Sequence, residues 1–352
     1  MKETFFYVDV NSAFISWASV ESVLNGGQDY RLIPSVISEE PGVRGAIVAA
    51  ASQPAKSLGI KVPEHINSAL KKCENLTIVK PDFNVYRKWS NSFKDLCKKF
   101  AKEFESYSID ECVFTVKDEF LKSSEPGQVG IMIRDSIKNL LGFDVTVGIA
   151  HTKSFAKIAS DFKPGFNVYL ITEDNFKEYL WPLPVDRLLY CGPKSTEKLN
   201  NNNIFTVEQL ANSNIETIQS ILGNKSGESL WLQANGLDDS KIVTERPVRK
   251  SLSHDTTLQI STSNIKELLP KFYTITSEAI TRLKRDNMKT KRVGIKLRDD
   301  DFNDKMYFKN LDTVSNDIKI IYNIIMDLLK ENHDNKSIRQ IGVKFEKLEK
   351  EG

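Results

Sequence analysis

Two adjacent carboxylates, Asp110 and Glu111, lie between runs at residues 105–109 and 112–117 that read as strands, and no other feature constrains the fold so tightly. Consecutive side chains of a regular strand point to opposite faces, so the two acids reach one site only where that alternation is interrupted. A tight turn supplies the interruption and makes Ser108-Ile109-Asp110-Glu111 the end of a β-hairpin. A third acid, Asp9, closes the apolar run Thr4-Phe5-Phe6-Tyr7-Val8, which is apolar enough to be a strand buried on both faces.

Hard divalent cations need oxygen ligands delivered by separate rigid segments, and Asp9 with the hairpin pair would meet that need. Three such carboxylates can hold two ions about 3.5–4 Å apart, an arrangement that clamps the attacking and leaving oxygens of phosphoryl transfer. On this reading the three acids form a nucleotidyl-transfer site. On the other, they are ordinary acids in a chain with 47 Asp and Glu residues.

At 352 residues the chain exceeds one usual core, so two or more domains are expected. The four cysteines, Cys73, Cys97, Cys112 and Cys191, have no Cys-x-x-Cys spacing, which argues against a zinc site or disulfide framework and fits a reducing compartment. No basic, then apolar, leader opens the chain and no apolar run is long enough to span a bilayer, so a soluble, cytoplasmic protein without membrane contact is expected. Charge is uneven despite a net +2: residues 241–298 carry 14 basic and 5 acidic side chains, a concentration suited to a phosphate backbone.

In chain order, a helix follows Asn11-Ser12 and stops at Gly26-Gly27. Strands at 33–38 and 45–51 flank Glu40-Pro41-Gly42, with helices after Gln53 and Pro63. A long helix over 83–104 leads into the hairpin, and a helix at 129–141, a strand at 144–150 and a capped helix at 152–161 come after it. That order predicts an antiparallel sheet with helices on one side. Beyond Trp181 short helices dominate, and Cys191-Gly192-Pro193-Lys194 opens one whose free N–H groups would suit a phosphate, or simply begin an ordinary helix. After a polar linker at 239–248, strand 250–259, helix 264–284, strands 292–298 and 305–309, helix 314–331 and strand 338–345 give the β-α-β-β-α-β order of a ferredoxin-like unit.

Tyr7-Val8-Asp9-Val10-Asn11, Tyr107-Ser108-Ile109-Asp110-Glu111, Thr146-Val147-Gly148-Ile149-Ala150 and the run from Lys153 to Asp161 together resemble the Y-family DNA polymerases, the lesion-bypass group, over nearly the whole chain. The resemblance implies an α+β, right-hand-like polymerase. Its palm would be residues 1–12 and 80–170, its fingers 13–79, its helical thumb 171–238 and its little finger 249–352. It implies that Asp9, Asp110 and Glu111 bind two Mg2+ ions with the Val10 carbonyl, and that Phe14 excludes a ribose 2′-hydroxyl. Lys163 would meet the incoming triphosphate, as would Gln53 and Lys56, which stand where many members carry Tyr and Arg. Gly192, Lys194, Arg249 and Lys250 would grip DNA.

The implied activity is low-fidelity, template-directed synthesis without proofreading, by a monomer acting on primer-template DNA and deoxynucleoside triphosphates. Gln53 and Lys56 where many members carry Tyr and Arg, Lys lacking the planar fork of Arg, and Ala50 where a Thr is usual also admit an alternative, a catalytically weakened member serving as a DNA-binding accessory. The resemblance also leaves a sliding clamp open as a partner, since family members often end in a Gln- and Leu/Phe-containing tail, whereas this chain ends Glu349-Lys350-Glu351-Gly352.

Overall fold

The computed structural model describes residues 3–162, 167–245 and 248–351. They form two compact units, Met1–Glu40 with Ile47–Arg246, and Pro41–Ala46 with Pro247–Gly352.

The first unit is built on a five-stranded sheet in the order Ala101–Ser106, Glu111–Val116, Phe5–Val10, Val145–Ala150, Val168–Ile171. Neighbours are antiparallel except the last pair, where Val147 pairs in parallel with Val168. Phe5–Val10 is central because both of its faces are apolar. Phe6, Val8 and Val10 pack with Trp17, Phe93, Phe114 and Phe143 on one side, while Phe5 and Tyr7 pack with Phe155, Leu180 and Leu199 on the other. Helices therefore cover both faces, not the one side expected from element order, since a strand apolar on each face must be sheltered twice. The close approach of the helix Lys153–Ser160 depends on Gly148, where a Cβ would lie 2.0 Å from the Ala156 carbonyl oxygen.

Several boundaries differ from the sequence reading. The helix expected over 83–104 ends at Phe100, and Ala101–Ser106 pairs with the next strand, stacking Phe104 on Phe114 at 6.1 Å. The hairpin strand thus lies upstream of 105–109 and leaves Tyr107 to Asp110 as the turn. Strands 33–38 and 45–51 shorten to Ser35–Ile37 and Ala50–Ala51 in a three-stranded sheet completed by Thr77–Val79. Thr77–Val79, Val168–Ile171 and the helix Asp118–Ser123 were not anticipated. The stretch beyond Trp181 is helical, from Pro193–Asn200 to Asn224–Ala234.

In the second unit the strands Ser251–Thr262, Met288–Asp299, Asp304–Ser315 and Ile338–Lys350 and the helices Ile265–Arg285 and Ile318–Asn332 follow the expected element order. Across the sheet they run third, second, fourth, first, with every neighbour antiparallel. Both helices bury Phe272, Leu283, Ile321 and Leu329 against Val293, Ile295, Val343 and Phe345. Side chains alternate along these strands, so Arg292, Lys296, Arg298 and Lys344 occupy the other face.

Candidate active site

Asp9 lies opposite Glu111 in the antiparallel ladder. Directly opposed residues share a face, with Cβ atoms about 4.5–5.5 Å apart. Asp110 precedes the strand, so it escapes the alternation that would have turned it away. The turn is hydrogen-bonded within itself, since Tyr107 N and Ser108 N donate to the Glu111 carbonyl at 3.2 and 3.3 Å and Ser108 Oγ donates to Asp110 Oδ1 at 2.5 Å. The long helix holds it from behind: Lys94 Nζ donates to the Ser108 carbonyl at 2.5 Å and Ser90 Oγ to that of Ile109. Val10 N donates to the Asp110 carbonyl at 3.1 Å, tying the turn to the central strand.

A cation of the protein itself stands between two of the acids. Lys157 Nζ is 2.5 Å from Glu111 Oε1, 3.0 Å from Asp161 Oδ1 and 3.4 Å from Asp9 Oδ2, and 4.9 Å from the centre of the Tyr7 ring. Burial pushes the Asp9 carboxyl up to about 8, although Lys157 pulls it the other way. At Glu111 burial also acts upward, but hydrogen bonds with Asp9 and Lys157 outweigh it and hold the carboxyl below its usual range. Burial alone would lower the Lys157 ammonium, and the surrounding carboxylates raise it instead. Among the described residues no three His, Cys, Asp or Glu side chains are gathered closely enough to cage an ion as they stand. The donor set nonetheless suits a hard divalent cation, being all oxygen and drawn from a strand end and a hydrogen-bonded turn.

Asp9, Val10, Phe14, Lys56 and Asp110 line one open cleft of about 240 Å3. Phe14 lines this cleft and also packs, its ring stacking on Tyr86 at 4.6 Å. Lys56 Nζ donates to Ser12 Oγ at 2.8 Å, and burial lowers its pKa. Ser12 begins the helix Ala13–Leu24 without a side-chain cap bond, contrary to its expected capping role. Gln53 is exposed on the helix Gln53–Ser57 and is not among the cleft residues. Lys163 lies outside the described residues.

Gly192 and Lys194 are exposed at the open N-terminus of the helix Pro193–Asn200. A hollow of about 280 Å3 joins Gly192, Arg187 and Tyr190 to Lys157 and Asp161, and the Tyr190 hydroxyl is 3.1 Å from that of Tyr107 in the carboxylate hairpin. In the second unit Lys250 is exposed, whereas Arg249 pairs with Asp286 at 3.1 Å. The basic face of the sheet is interlaced with acids, Arg292 with Glu346 at 3.1 Å, Lys296 with Asp255 at 3.0 Å and Arg298 with Asp304 at 2.5 Å. Sequence reasoning did not identify Lys157 as the partner of the carboxylates. Its signal was Lys157 four residues before Asp161, on a helix facing a strand with glycine at 148.

The sequence profile of the impB/mucB/samB family matches residues 8–161, and that of the family's C-terminal domain matches residues 249–352. The DNA polymerase-iota thumb domain profile matches residues 191–238. DNA polymerase IV of Clostridium acetobutylicum is 33% identical over 349 residues, covering 99% of this chain and 88% of that protein. DNA polymerase IV of Acetivibrio thermocellus is 32% identical over 352 residues, covering 99% and 86%. Among solved structures, a Y-family DNA polymerase chimera of Dbh and Dpo4 has a TM-score of 0.85 at 25% identity and covers 98% of each chain. DinB from Sulfolobus solfataricus has a TM-score of 0.60 at 25% identity, covering 97% of this chain and 98% of its own.

Proposed function

Because the chain belongs to the Y-family, the impB/mucB/samB group, and is a DNA-directed DNA polymerase of the lesion-bypass type, we propose that it extends primer 3′ ends with deoxynucleotides at Asp9, Asp110 and Glu111. In this proposal it uses two Mg2+ ions, copies with low fidelity and does not proofread. The observation that carries it is the register, which sets Asp9 against Glu111 on one face and places Asp110 in the turn beside them. When bound, the ions supply Lewis-acid stabilisation of the attacking and leaving oxygens. Asp9, Asp110, Glu111 and the Val10 carbonyl would hold them.

The remaining cleft residues position the nucleotide. Lys56 offers a point charge to the triphosphate, and Phe14 presents an apolar ring against which a 2′-hydroxyl would collide. The exposed position of Gln53 does not support a part in this contact. Gly192 and Lys194 would seat a DNA phosphate, and Lys250 and the basic face of the second unit would grip the duplex backbone. Residues 1–12 and 80–170 then act as palm, 13–79 as fingers, 171–238 as thumb and 249–352 as little finger. The three acids speak against a catalytically weakened accessory, since Asp9 and Asp110 line the cleft and Glu111 lies opposite Asp9 in the ladder.

Primer extension with Mg2+ on undamaged and abasic templates tests the assignment. Asp110→Ala should abolish extension while duplex affinity stays within about twofold, because backbone contacts lie elsewhere. Substantial extension by Asp110→Ala would sink the proposal, and trimming of a mismatched 3′ end would contradict the absence of proofreading.

A further inference from the structure

We propose that Lys157 is a positioning residue for the metal site: its ammonium holds Asp9 and Glu111 together in the free protein and yields that place to divalent cations by moving onto Asp161. The inference rests on the metal role proposed above for Asp9 and Glu111. Two acids set directly opposite on a ladder share one face, and an ammonium within reach of both can fix their spacing. Lys157 provides that ammonium, at 2.5 and 3.4 Å.

Three further features define how the ammonium is placed and where it can go. Gly148 lets the helix Lys153–Ser160 sit against the central strands, and the Tyr7 ring lies 4.9 Å from the ammonium. Asp161 is one helical turn onward, about half exposed and already 3.0 Å from the nitrogen, so release from the pair needs side-chain rotation and no backbone movement. Asp161 also borders the hollow that holds Tyr190 and Gly192. An ammonium and a divalent ion repel when they share the same oxygens, so an ion can take Asp9 and Glu111 only as Lys157 leaves.

The test is Mn2+ binding to the full chain, followed by electron paramagnetic resonance without DNA or nucleotide at fixed pH and ionic strength. Lys157→Met, which removes the competing charge and keeps the stem, should bind Mn2+ about tenfold more tightly. Lys157→Arg, whose fork can bridge both carboxylates, should bind about tenfold more weakly. Asp161→Asn should bind about threefold more weakly, because the displaced ammonium loses its acceptor. In thermal melting, saturating Mg2+ should raise Lys157→Met by more than it raises the unaltered protein. Equal or weaker Mn2+ affinity in Lys157→Met overturns the proposal. Should that variant fail to fold, unchanged affinity in both Lys157→Arg and Asp161→Asn overturns it. Undiminished Mn2+ binding by Asp9→Asn would instead overturn the metal assignment itself, leaving the two failures distinct.

Discussion

Phe14 packs against other aromatics and also lines the cleft, a placement that suits the sugar discrimination proposed for it. The ring stacks on Tyr86 at 4.6 Å, meets Phe83 edge-on at 6.0 Å and still lines the cleft with Asp9 and Lys56. An aromatic held by other aromatics keeps its position, which a steric filter for the sugar requires. Phe14→Ala should raise ribonucleotide insertion relative to deoxynucleotide insertion by roughly a hundredfold. It should also lower stability by about 3 kcal/mol, the low end for a truncated Phe because the ring is only half-buried. Tyr86→Leu should reproduce part of the selectivity loss by loosening the stack. Insertion of both sugars opposite one template base, measured beside thermal melting, checks these outcomes. Lost stability with unchanged sugar selectivity would leave Phe14 as core alone.

The hairpin and the helix above it show which parts of the site a sequence can express. Asp110 and Glu111 were legible as a turn because adjacency and strand alternation leave no other way for both to serve one site. The apolar run from Phe5 to Val8 likewise announced a strand sheltered on both faces, although the helices were expected on one side only. The role of Lys157 was not legible, because it arises from how closely one helix approaches the sheet. The end of the long helix at Phe100 was hidden for a related reason: no glycine or proline interrupts 83–104, and only pairing with Glu111–Val116 draws Ala101–Ser106 out as a strand. Gly148→Ala tests the approach itself. The new Cβ would fall 2.0 Å from the Ala156 carbonyl oxygen and 2.5 Å from Ser160 N, so the helix must move and carry Lys157 off the carboxylates. A melting loss equivalent to about 1–3 kcal/mol or more and weakened primer extension are expected. Melting like that of the unaltered protein would mean the helix tolerates displacement.

Charge is the property in which composition and structure diverge most. The stretch 241–298 reads as strongly basic, yet the face of the second unit's sheet opposite its helices pairs Arg292, Lys296 and Arg298 with Glu346, Asp255 and Asp304. Counting charges could not reveal this, because strand pairing brings acids from 255, 304 and 346 beside bases from 292 to 298. A phosphate backbone approaching this face must compete with those acids, so the number of counterions released depends on which bases are free. Asp304 is the clearest case, since hydrogen bonding from Arg298 holds its carboxyl below the usual range and Lys296 lies 3.6 Å away. Exposed ion pairs contribute little to stability, so Asp304→Asn should melt like the unaltered protein. It should bind primer-template DNA more tightly at low salt, and the plot of log affinity against log salt should steepen by about 1 as one more base becomes available to phosphate. Fluorescence anisotropy across a salt series measures both. A steeper slope would identify this sheet face as the one that meets the duplex, whereas an unchanged slope and affinity would move the DNA contact to Lys250 and the helix N-terminus at Gly192.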